Sequence, residues 1–171
     1  MRLCARSICI ALAIFVIHLR IFSATASASA KAGQSAPGFR VTTTSGQVVT
    51  QENYRGHVLV IDFFATWCLP CRQSIPHLVE MNRKYGKQGL HILGLSADED
   101  GERAVKAFTS EHHVNYPVAL AGETTSEFGV RSVPVMFVVD KKGKVAEVFR
   151  GYSVDTGRSV EQLVKKLLAE K

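Results

Sequence analysis

The chain has 171 residues, 46% of them hydrophobic and 21% charged, with a formal net charge of +6. That balance excludes a disordered or fibrous protein, and the length suits one domain able to bury its own core. No run of five or more basic residues concentrates the charge, which argues against a nucleic-acid partner.

The first thirty residues read apart from the rest. Arg2 and Arg6 give a positive start, Ile8 to Ile17 is a continuous apolar run, and small residues follow as SATASASA up to Ala30. This order predicts a secretory signal over residues 1–30, cut after Ala30 or after Ala28. The apolar run is shorter than the roughly 20 residues a spanning helix needs. An uncleaved anchor, tethering the chain to the membrane through residues 8–22, is the competing reading. Removing residues 1–30 takes away three arginines and no acid, and leaves +3 on the domain predicted for residues 31–171. Cys4 and Cys9 leave as well, so the exported chain keeps only Cys68 and Cys71.

Residues 31–38 read as a linker into the fold. Val41 to Val49 around Gly46 predicts a hairpin, and Asn53 to His57 a turn around Gly56. Val58-Leu59-Val60-Ile61-Asp62-Phe63-Phe64 is almost continuously apolar, as a central strand covered on both faces would be. After Trp67 the period changes. Ile75, Leu78, Val79 and Asn82 share one helical face in a segment that runs to Tyr85, with Pro76 inside it. Leu90 to Leu95 reads as a strand, Ser96 to Asp100 as a loop of solvated acids, and Gly101 to His113 as a helix. Tyr116-Pro117 reads as a turn into a strand, and Glu123 to Phe128 as a short helix. Val135 to Val139 and Lys144 to Phe149 are strands joined by a turn at Gly143. Ser159, with Gln162 three residues on, predicts the cap of a last helix whose stripe is Val160, Leu163, Val164, Leu167 and Leu168. The order predicts a three-layer α/β sandwich with a mixed central sheet, an N-terminal hairpin and a central helical insert. Functional residues are expected at the carboxyl ends of its strands.

Cys68 and Cys71 stand where the buried strand gives way to a helix. Free backbone N–H groups and the helix dipole stabilise an anion there, which lowers a thiol pKa and marks Cys68 as the nucleophile. Cys71, one turn on, is placed to resolve a mixed disulfide. A structural disulfide would normally close a longer loop. A structural zinc site needs four ligands, and one pair with His77, His112 or His113 is a poor start. Arg72 occupies the position where c-type haem attachment needs histidine. No metal or cofactor is expected.

The segment VLVIDFFATWCLPCRQSIP (Val58 to Pro76) resembles the thioredoxin fold, and in particular the exported TlpA/ResA-like thiol–disulfide oxidoreductases. APGF at Ala36–Phe39, YRGHVLV and VRSVPVMFVVDKKGKV fit the same pattern, and the likeness covers about residues 33–169. It implies that Trp67 shapes the contact surface beside the thiols. It also implies that Pro134 is a cis-proline whose preceding backbone pairs with an extended substrate. Where members of this family often carry glutamate, three residues past the second cysteine, this chain has Ser74. Asp62 matches the buried aspartate of thioredoxin. Burial would raise its pKa and suit it to exchange a proton with Cys71; the plain alternative is an aspartate paired at a strand edge.

Pro70 before the second cysteine points toward a reductant. The resemblance implies a periplasmic location, disulfide-bearing substrate proteins, apocytochrome c among them, and a membrane thiol electron donor. Two rivals are set against this reading. A related thiol peroxidase would present a lone attacking cysteine behind a proline, which Ala65-Thr66-Trp67 lacks. A non-enzymatic copper-delivery protein would hold metal on Cys68, Cys71 and a histidine without turnover. Arg72 and the histidines His77, His91, His112 and His113 read as solvated or loop residues.

Overall fold

The computed structural model describes residues 30–99 and 101–170; the signal or anchor expected over residues 1–30 lies outside them, Ala30 excepted. Two short strands, β1 (Arg40–Thr42) and β2 (Val48–Thr50), pair antiparallel as the expected hairpin, and a 3-10 turn over Gln51–Tyr54 leads out of it. Then come β3 (Val58–Phe64), α1 (Leu69–Tyr85), β4 (Leu90–Ser96), α2 (Glu102–Glu111), β5 (Val118–Leu120), α3 (Thr124–Glu127), β6 (Val135–Val139), β7 (Val145–Arg150) and α4 (Val154–Ala169). The main sheet has the order β5-β4-β3-β6-β7. Its β3–β4 and β4–β5 pairs are parallel, and its β3–β6 and β6–β7 pairs are antiparallel.

β3 is central because it can be: every one of its seven residues is buried. Strand alternation sends its side chains to two separate cores. Val58, Val60 and Phe64 pack with Ile75, Leu78 and Met81 of α1, Val105 and Phe108 of α2, and Val160 and Val164 of α4. Leu59, Ile61 and Phe63 pack on the other face with Phe39, Val41 and Val49 of the N-terminal segment and hairpin and with Phe128 after α3. Each fully buried large side chain contributes roughly 1.5–3 kcal/mol by leaving water, so the two faces together commit the strand to this register. Ala30, one residue before the boundary read from the sequence, joins the second core, its N–H donating to the Phe128 carbonyl.

The last helix starts earlier than expected. Ser153, not Ser159, is its cap: Ser153 Oγ accepts the Thr156 N–H at 3.1 Å. Ser159 lies inside the helix and donates to the Asp155 carbonyl. Gly157 does not break the helix, because its bare Cα is what lets Tyr152 close on it; an added Cβ would meet the Tyr152 hydroxyl at 2.9 Å. Among the described residues no helix is long and apolar enough to cross a membrane.

Candidate active site

β3 and β4 run parallel and in register to their ends, with Phe64 opposite Ser96. The chain leaves both strands at the same edge of the sheet, and the cysteines sit there. Cys68 is the N-cap of α1, with extended backbone (φ −83°, ψ 109°). Its Sγ accepts the Cys71 N–H at 3.3 Å, so a helix-terminal donor without an intrahelical partner points at the sulfur. Pro70 lies in the first turn, where its missing N–H costs no helical hydrogen bond. Cys68 and Cys71 are disulfide-bonded, with Cα atoms 5.3 Å apart. Cys68 is 5% exposed and Cys71 is fully buried, so only the first sulfur can be reached from outside.

Around this pair the surface is apolar. Trp67 and Leu69 are 71% and 67% exposed, large side chains left in water beside the reactive sulfur. The Val133–Pro134 peptide is cis, and Pro134 is buried just before β6. The Pro134 carbonyl accepts the Gly151 N–H, which ties this corner to the end of β7. A cleft of about 610 Å³, lined by Arg40, Glu102, Glu123 and Glu127 among others, contains none of these residues.

Asp62 stands on the face of β3 that meets α1. It alternates with Val60 and Phe64 and so faces the core that includes Cys68 and Cys71. It is completely buried, and neither carboxylate oxygen has a hydrogen-bond partner among the described residues. Burial alone pushes its pKa up to about 7. The alternative of an aspartate paired at a strand edge is thereby excluded, since β3 is central. Ser74 is buried and donates to the Cys71 carbonyl at 2.8 Å.

Several side chains depart from the sequence expectation. Asp98 is not a solvated acid: it is 9% exposed and accepts three hydrogen bonds, two from Thr66 and one from Ser96. Arg72 is exposed, yet its Nε donates to the Thr66 carbonyl at 2.9 Å and its guanidinium lies over the Phe108 ring. His77, His91 and His112 are half-buried, and only His113 of the four is exposed. His77 meets the Gly157 carbonyl, His112 packs on Phe108, and His91 meets Tyr54 and His57 edge to face. Burial, and then the neighbouring His57, lowers the pKa of His91. Among the described residues no three His, Cys, Asp or Glu side chains gather as metal ligands.

The model of one protein family, Redoxin, matches residues 31–167. The thiol–disulfide oxidoreductase ResA of Bacillus thuringiensis subsp. konkukian (strain 97-27) is 34% identical over 137 residues, 79% of this chain and 78% of that one. A solved Chlorobium tepidum structure assigned as the thiol:disulfide interchange protein DsbE is 30% identical with a TM-score of 0.77. It covers 82% of this chain and 100% of its own. A second thiol:disulfide interchange protein, from Chlorobium tepidum TLS, is 28% identical with a TM-score of 0.72, covering 83% of this chain and all of its own.

Proposed function

Since the chain belongs to the redoxin family and is a ResA-like thiol–disulfide oxidoreductase of thioredoxin-like fold, we propose that it works as an exported reductase of protein disulfides. The observation that carries the chemistry is the Cys71 N–H aimed at Cys68 Sγ, with Cys71 closed off behind it. In the reduced enzyme that donor and the helix dipole favour a Cys68 thiolate. The thiolate attacks a substrate disulfide, forms a mixed disulfide and expels one substrate thiolate. Cys71 passes its proton to Asp62 and then attacks Cys68 Sγ, expelling the second substrate thiolate. Two electrons have moved to the substrate; its two thiolates take up the Cys71 proton, handed on by Asp62, and one proton from solvent, so the substrate ends as a dithiol and the enzyme as a disulfide with Asp62 again deprotonated. A thiol donor restores the enzyme by the reverse exchange.

Asp62 suits this step because a carboxyl with a pKa near 7 can take or give a proton at neutral pH. Trp67 and Leu69 form the apolar contact surface, and the backbone at Val133, beside cis Pro134, pairs with an extended substrate segment. The reducing direction is inferred from Pro70 between the cysteines, and the periplasmic location from the signal-like residues 1–30, whether cleaved or kept as an inner-membrane anchor. Apocytochrome c disulfides before haem attachment are the substrate, and a membrane thiol carrier the donor, that the ResA likeness favours.

The test is a trap. Reduced Cys71→Ser protein, mixed with a disulfide-bearing protein, should accumulate a mixed disulfide through Cys68, and Cys68→Ser protein should form none. Accumulation with Cys68→Ser instead would reverse the two roles.

A further inference from the structure

The parallel register that brings Phe64 beside Ser96 also brings the residues two positions further on together. These are Thr66, immediately before Trp67 and Cys68, and Asp98, in the loop entering the helical insert. The Asp98 carboxylate accepts the Thr66 N–H at 2.9 Å through Oδ2 and the Thr66 hydroxyl at 2.6 Å through Oδ1. Ser96 Oγ donates to Oδ2 as well, and the Asp98 N–H donates back to Ser96 Oγ at 3.1 Å. The last polar atom of Thr66, its carbonyl oxygen, accepts Arg72 Nε. Arg72 in turn lies 5.6 Å from the centroid of Phe108 on α2. Every polar atom of Thr66 is therefore held, by Asp98 in the loop after β4 and by Arg72 of α1, which itself lies over Phe108 of the insert.

A carboxylate that is 9% exposed is costly to bury unless its lone pairs are filled. Here most of that filling is spent on one residue, and that residue carries the contact surface and the nucleophile behind it. Trp67 has little packing of its own, being 71% exposed. Its place is set by the chain on either side, with Thr66 before it and the helix cap after it.

We infer that Asp98 is a positioning residue for the docking of protein substrates: through Thr66 it fixes where Trp67 stands beside Cys68, which the helix cap holds in place. The inference rests on Cys68 as the attacking thiol. A protein substrate needs the docking surface, whereas a small disulfide needs only the sulfur, so the two substrates should separate.

The experiment uses the full chain with Cys4 and Cys9 replaced by serine, assayed with insulin and with 5,5′-dithiobis(2-nitrobenzoate). Asp98→Asn should raise KM for insulin by about tenfold, since small misplacements of docking groups are heavily penalised, and leave the rate with the small disulfide within about twofold. Thr66→Val, which is isosteric and keeps the N–H bond, should raise the insulin KM about fivefold through loss of one hydrogen bond. Thr66→Ser should restore the original value. This pair decides the matter even if Asp98→Asn does not fold. Equal losses on both substrates, no loss on either, or Thr66→Ser behaving as Thr66→Val would overturn the inference. An unsubstituted protein inert to both reagents would overturn the exchange reading and the inference with it.

Discussion

Gly94 stands directly across the parallel β3–β4 ladder from Asp62. A Cβ at Gly94 would lie 3.0 Å from Val118 Cγ2, 3.3 Å from the Phe64 ring and 3.4 Å from the Tyr116 ring. The bare glycine lets these side chains close over the sheet beside the buried carboxyl. Tyr116 responds to that neighbourhood: burial, and after it the Asp62 charge, pushes its phenol well above the usual pKa.

Gly94→Ala should destabilise the fold. Overpacking typically costs about 1–3 kcal/mol, and alanine recovers about 0.5–1 kcal/mol of chain entropy relative to glycine in a strand. A net loss of about 1 kcal/mol is expected in urea unfolding. An unchanged or raised midpoint would show that Val118 and Phe64 can yield.

Asp62 makes stability depend on pH in a direction opposite to that of a salt-bridged aspartate. Its pKa rises from 3.8 in the unfolded chain to about 7 in the fold. Its contribution is fully present below about pH 3.8 and is lost as pH rises toward 7, where the fold must hold a buried charge that the unfolded chain solvates freely. The full cost above pH 7 is on the order of 4 kcal/mol. Asp62→Asn, close in shape to the protonated acid, should be the more stable protein at pH 8, and the gap should close on titration to pH 4. In single-turnover assays the same variant should resolve its mixed disulfide about 100-fold more slowly. A gap that widens toward acid pH would contradict this.

The start of the last helix gives a simpler check. Ser153→Ala removes the acceptor of the Thr156 N–H and should cost about 1 kcal/mol. Ser159→Ala lies on the exposed side of α4 and should stay within about 0.5 kcal/mol of the parent in thermal or urea unfolding. The reverse order would restore Ser159 as the cap.

Much of this arrangement is legible in the residues. β3 is readable to its ends because a seven-residue run covered on both faces leaves a continuous apolar signal. Asp62 stands out because it interrupts that run. The cysteine pair is readable because strand, tryptophan and helix frame it within a few positions. What fails to show is what depends on partners distant in sequence. In the sequence Asp98 looks like Glu99 and Asp100 beside it; its burial is supported by Ser96 and by the Thr66 donors brought from 32 positions away. Ser159 with Gln162 has the spacing of a capping box, but Tyr152 and His77 packed against Gly157 let the helix begin a turn and a half earlier. His91 owes its setting to the Tyr54 and His57 rings and His77 to the Gly157 carbonyl, partners on other segments that local pattern does not reveal.

The reducing role is tested most directly by the reduction potential of the Cys68–Cys71 pair. The full chain, with Cys4 and Cys9 replaced by serine, would be equilibrated in glutathione or dithiothreitol buffers and its trapped thiols counted. A potential near that of thioredoxin, about −270 mV, is expected for a reductase fed by an upstream thiol donor. A potential near about −120 mV would contradict it and make the protein a disulfide donor.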